Sequence, residues 1–156
     1  MAITDTTTNV ISRHWLRIPT PETGANHELF VFSGIAIFDD LKGTGSSWDE
    51  GPALIHANYT NVIPPNRAIL PRHWTVDVHL ASIFNANVAN NTGWAVKEFS
   101  LILAPNSDGT QVAVPGGILN LRAQIAIRDS DAFILRLSYQ VTIQGSIIAY
   151  TAPLPG

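Results

Sequence analysis

The stretch from Gly117 to Ile143 leaves this chain few ways to fold. In it Leu119, Leu121, Ala123, Ile125 and Ile127 alternate with Asn120, Arg122 and Gln124. Further on, Phe133, Leu135, Leu137, Tyr139, Val141 and Ile143 alternate with Arg136, Ser138, Gln140 and Thr142. A period of two sustained this long is the signature of half-buried strand, because successive side chains of a strand point to opposite faces. A helix over the same residues would spread its arginines through the apolar set. The tetrapeptide Arg128 to Asp131 reads as a turn, so a hairpin is expected. Residues directly opposite in an antiparallel pair share a face. The apolar positions are odd-numbered in both halves, and a three-residue loop, Asp129-Ser130-Asp131, keeps them together. The predicted pairs are Ile127 with Phe133, Ile125 with Leu135, Ala123 with Leu137 and Leu121 with Tyr139.

The rest of the chain has the same character. Strands are predicted at Val10–Ile18, Leu29–Phe38, Ala53–Ile63, His73–Phe84, Trp94–Leu103, Gln111–Val114 and Ser146–Tyr150. Between them lie Pro-, Gly- and Asn-rich connections, among them the polar run NANVANNTG (85–93). No segment carries a convincing helical period. Many short strands between turn signals predict an all-β fold: an antiparallel two-sheet β-sandwich, jelly-roll-like, with a closed β-barrel as the alternative. The 156 residues suit one domain with a substantial core, residues 1–9 and 151–156 forming loose ends.

Charged residues make up 13% of the chain, against roughly 25% in typical soluble proteins. A surface so poor in charge suits contact with another subunit, and a homo-oligomer is expected. Leu29–Phe38 supports this, being apolar on both alternation sets: it is either a central strand or one at a subunit contact. There is no Lys/Arg run, so nucleic acid is not an expected partner, and no apolar run long enough to span a membrane as a helix. With no cysteine, disulfides and thiolate metal sites are excluded. The opening residues MAITDTTTNV lack a basic and an apolar region, so the expected location is cytoplasmic, or outside by a route without a recognisable signal peptide.

Three functional readings compete. The leading one is non-catalytic, lectin-like recognition of a neutral glycan by loops at one end of the sandwich. Such sites combine an aromatic platform with amides and carboxylates that orient hydroxyls. Trp48 and Trp94 are the candidate platforms, with Asp39, Asp49 and Asn91 as polar partners. Trp15 and Trp74, inside strand patterns, are assigned to the core. The second reading is a structural protein that assembles with itself. The third is a metal-dependent enzyme. In HWTVDVHL, alternation puts His73, Asp77 and His79 on one face, and His56 from a neighbouring strand would complete a divalent-metal set. The acidic segment with Asp39, Asp40, Asp49 and Glu50 offers hard oxygen ligands for calcium, without the order of an EF-hand. No resident cofactor is otherwise expected.

Overall fold

The computed structural model describes residues 9–19, 27–43, 48–107 and 112–152; of residues 9, 27, 39–43, 49, 83–92 and 129–134 only the backbone path is described. Among these residues seven strands are formed: β1 (Asn9–Pro19), β2 (His27–Gly43), β3 (Asp49–Asn58), β4 (Arg67–Leu101), β5 (Ala104–Pro105), β6 (Val112–Pro115) and β7 (Ile118–Ala149). No helix occurs among the described residues. Strands β4 and β7, of 35 and 32 residues, pair antiparallel along their whole length, from Arg67 opposite Ala149 to Leu101 opposite Leu121. The other edge of β7 is divided. Its first part pairs with β3 (Ala57 opposite Leu119, Gly51 opposite Ile125), and its later part pairs with β2 (Phe38 opposite Leu135, Phe30 opposite Ile143). β1 adds to the outside of β2, and β6 and then β5 add beside the start of β4. The result is a two-sheet antiparallel β-sandwich, not a closed barrel, in which the β4–β7 ribbon belongs to both layers.

The expected hairpin at Arg128–Asp131 is not formed. Strand β7 continues through these residues, and the four predicted pairs are replaced by pairs to β4: Ile127 with Trp94, Ile125 with Val96, Ala123 with Phe99 and Leu121 with Leu101. The predicted loop 85–93 is likewise strand, and it lies opposite the predicted turn, with Asn85 facing Phe133 and Asn87 facing Asp131. The ladder slips between Val88 and Gly93. Both turn signals therefore mark one irregular zone where the ribbon passes from layer to layer. Unpaired extra residues in a ladder bend and twist a strand, and polar residues tolerate them.

The alternation itself is realised. Leu119, Leu121, Ala123, Ile125, Ile127, Leu135, Leu137, Tyr139, Val141 and Ile143 are all buried, while Arg122 and Arg136 are exposed. A continuous strand keeps odd residues on one face with no loop to adjust the count, so one parity serves both layers. Against this row pack Phe30, Phe32, Ala36 and Phe38 of β2 and Ala53, Ile55 and Ala57 of β3, all in a single cluster. On β2 the other alternation set, Leu29, Val31, Ile35 and Ile37, is only half-buried and faces outward.

Gly34 lies within the buried phenylalanine row, opposite Tyr139. A Cβ there would sit 2.4 Å from the Tyr139 hydroxyl oxygen and 2.7 Å from Cζ, so the ring fills the space a side chain would need. Gly34→Ala is expected to destabilise the protein by about 1–3 kcal/mol through overpacking, read as a lower urea midpoint with an unchanged slope.

Candidate functional site

Strand β1 pairs regularly with β2 on both sides of an interruption between Ile11 and His14. Ile11 faces Ile35 and His14 faces Ser33, so Ser12 and Arg13 together oppose Gly34. This is a β-bulge, and Ser12 takes a left-handed backbone (φ 52°), an uncommon state for a residue with a Cβ. The extra residue reverses the parity of β1. Beyond it Trp15 and Arg17 share the face of Phe32 and Phe30, while Leu16 and Ile18 share that of Val31 and Leu29. Trp15 is thus turned toward the inner side of the sheet but at its rim, where it is 52% exposed.

Facing it is the turn between β3 and β4. Arg13, Trp15, Asn58, Tyr59, Thr60, Asn61 and Val62 line an open cleft of about 320 Å³. The turn is fixed from several directions. The Tyr59 amide donates to Gly117 O (2.8 Å), and the amides of Val62 and Ile63 both donate to Tyr59 O (2.9 and 3.2 Å). The Asn58 side chain accepts from the Thr60 amide (2.9 Å) and from its hydroxyl. The Tyr59 ring packs on Phe32, centroids 4.7 Å apart. Its hydroxyl donates to Ser33 O (3.0 Å) and accepts from the Tyr139 hydroxyl (2.9 Å). Gly117, with φ +92°, supplies the turn that brings its carbonyl under Tyr59. Arg13 spans the cleft, its guanidinium donating to Asn58 O (3.2 Å).

The cleft therefore offers an indole, a guanidinium, two amides and a hydroxyl on a rigid floor. Its described lining holds no carboxylate and no imidazole. Burial raises the Tyr59 hydroxyl above its ordinary range, against the smaller opposing effects of the Tyr139 hydrogen bond and the Arg13 charge. Burial, followed by its hydrogen bond to Tyr59, raises Tyr139 further still. Neither phenol is a base at neutral pH. The arrangement can stack and hydrogen-bond a ligand, and it lacks a general acid–base pair.

The residues singled out from sequence fare differently. Trp48 and Trp94 are both exposed, yet the ladder sets them apart. Trp94 is opposite Ile127, on the inner face, whereas the Trp48 ring lies against Gly93 and under the Arg128 guanidinium (4.7 Å), on the outer face. One side of that indole is already occupied by a cation. The side chains of Asp39, Asp49 and Asn91 lie outside the described residues. Glu50 is engaged by Lys97.

His73, Asp77 and His79 do share the outer face, opposite Gln144, Gln140 and Ser138. The two histidines are six residues apart, about 20 Å of strand. His56 does not join them: it lies on β3 opposite Asn120, with which it hydrogen-bonds through Nδ1. No group of three His, Asp or Glu that could hold a metal ion occurs among the described residues.

The assignment of Trp15 and Trp74 to the core is corrected. They are 52% and 44% exposed, although the ladder sets them opposite the buried Phe32 and Ile143. Sequence reasoning also missed Arg13 and Asn61. A signal was present: the alternation in VISRHWLRI breaks between Ile11 and Trp15, as a bulge requires, and NYTN before Pro64-Pro65 is turn chemistry rather than strand.

No protein-family model, curated protein or solved structure matches this chain.

The buried phenol pair makes a pH prediction. A tyrosine whose folded-state pKa is raised contributes stability that is fully present below the unfolded value of about 10 and is lost as pH rises beyond it. The urea midpoint should hold through neutral pH and fall above about pH 10. Tyr139→Phe should cost about 1 kcal/mol at pH 7 and make that alkaline fall shallower.

Proposed function

We propose that this chain is a non-catalytic binding module that recognises a neutral glycan in a lectin-like manner, with the β1–Asn58 cleft as its site. The observation that supports this reading is the cleft's lining: an exposed indole, Trp15, beside Asn58, Thr60 and Asn61 on a floor made by the buried, hydrogen-bonded Tyr59. A flat apolar ring receives the C–H face of a sugar, and amides and hydroxyls orient its hydroxyl groups. The volume is at the lower end of the ~300–1,000 Å³ range of small-molecule sites, which suits one or two sugar rings rather than a long chain.

The platform in this reading is Trp15, not Trp48 or Trp94. A second reading, a structural subunit of a homo-oligomer, is favoured by the aliphatic outward face of β1 and β2.

Screening the protein on an array of neutral glycans tests the proposal. A hit should be weakened tenfold or more by Trp15→Ala, since a stacked ring is worth about 1.5 kcal/mol. Asn61→Ala should weaken it less, and Trp48→Ala and Trp94→Ala should leave it unchanged in titration calorimetry. A blank array, or a hit abolished by Trp48→Ala and untouched by Trp15→Ala, overturns the assignment.

A further inference from the structure

The hydrogen-bonding groups of the Arg13–Asn58 cleft have fixed senses, because each is already engaged. The Thr60 amide, which can only donate, meets the Asn58 side chain at 2.9 Å, so the atom it meets is the carbonyl oxygen Oδ1. The Thr60 hydroxyl lies on the same Oδ1. An amide oxygen carries no proton, so the hydroxyl hydrogen points at Asn58. Toward a ligand the Thr60 oxygen therefore only accepts. With Oδ1 turned to Thr60, the Asn58 amide presents Nδ2, which only donates. Arg13 also only donates, and one of its N–H groups goes to Asn58 O at 3.2 Å. The Tyr59 hydroxyl is engaged inside the sandwich by Ser33 O and Tyr139. Tyr59 and Val62 thus add apolar surface to the lining.

Fixed donors on Arg13 and Asn58 therefore stand beside a fixed acceptor on Thr60. Chemical groups differ in how they meet this set. A single sugar hydroxyl must reach both sides from one atom. A carboxylate suits Arg13 but sets an acceptor against the Thr60 oxygen, which has no proton to give. An ammonium suits Thr60 but meets the Arg13 charge. A secondary amide satisfies both sides at once, since its C=O accepts and its N–H donates from separate atoms of one plane. On a neutral sugar that group is an acetamido substituent, which ends in a methyl.

We infer that the cleft selects N-acetylated sugars: the acetamido carbonyl accepts from Arg13 and Asn58, its N–H donates to the Thr60 oxygen, and its methyl group meets Tyr59 and Val62. This rests on the reading of the cleft as a glycan site and narrows it to one substrate class. The roles divide between residues. Trp15 receives the ring of any sugar, whereas Arg13 and Thr60 determine which substituent the ring carries. Asn61, whose amide both donates and accepts, serves the remaining hydroxyls.

Titration of the full chain, followed by NMR, tests this with the methyl glycosides of N-acetylglucosamine and N-acetylgalactosamine. Those of glucose and galactose, with a hydroxyl in place of the acetamido group, are the parents for comparison. At least one acetamido sugar should bind about tenfold or more tighter than its parent, from two hydrogen bonds made and a methyl group buried. Thr60→Val removes the acceptor and should bring that ratio close to one, while Thr60→Ser should keep it. Arg13→Met keeps the stem, removes the donors and should also lower the ratio; Arg13 is exposed, so this variant reads the site independently of any loosening of the turn by Thr60→Val. Trp15→Ala should weaken acetamido and parent sugars alike. Parents that bind as tightly as their acetamido sugars overturn the inference and leave the glycan reading standing, as does preference for glucuronic acid over both. No binding of either acetamido sugar also overturns it, and the array of neutral glycans decides separately whether the glycan reading falls too. N-acetylalanine methylamide binding as tightly as the acetamido sugars overturns both and assigns the cleft to a peptide.

Discussion

The ladder between β4 and β7 is the interaction on which every other part of this fold depends. It runs from Arg67–Ala149 to Leu101–Leu121 without a reversal in either strand. One edge of β7 is consumed by β4, and the other is shared out to β2 and β3. Neither layer has a centre of its own: remove β7 and each loses the strand that joins its parts. The buried odd-numbered row of β7 is the apolar counterpart of this arrangement. It touches phenylalanines from β2 in one layer and small aliphatics from β3 in the other. A few kcal/mol for each large side chain kept from water makes a one-residue slip of β7 untenable.

The features legible in the sequence were those set by local periodicity. The alternation from Leu119 to Ile143 dictated strand, face and burial, and Arg122 and Arg136 lie on the side it requires. What it could not dictate was the path between Ile127 and Phe133. A straight strand and a hairpin with a three-residue loop both keep odd residues on one face. The choice between them depends on whether 85–93 lies alongside, a non-local fact. Turn-forming residues signal weak commitment to regular pairing, and a sharp bend in a long ribbon exploits that as well as a reversal does. The outward half-burial of Leu29, Val31, Ile35 and Ile37 was likewise readable as a second apolar set, though not as the neighbour of an aliphatic β1.

The cleft was hardly legible, for a related reason. Its two walls are 45 residues apart in the chain, joined by the Arg13–Asn58 contact. Trp15 looks like a core residue because it lies in a strand and indeed takes the inner face. Only the rim position, on the last described strand of that side of the sheet, exposes it. The bulge at Ser12 is what sends Trp15 inward; without it Leu16 and Ile18 would take that face instead. A strained backbone at one residue thus separates an aliphatic surface from an aromatic cleft on the two sides of the same strand. Tyr59 then couples the cleft floor to the interior through Ser33, Phe32 and Tyr139.

The position of β7 in the chain bears on how the protein is made. It is the last of the described strands, yet β2, β3 and β4 all take it as a partner. Val31 and Phe32 leave the ribosome long before Thr142 and Val141, the residues they will sit beside. Until then the phenylalanines of β2 and the aliphatics of β3 have no sheet to enter, and the growing polypeptide carries them uncovered. Folding of this chain therefore waits for the synthesis of β7 and is governed by closure of very long loops rather than by stepwise growth from the N-terminal end.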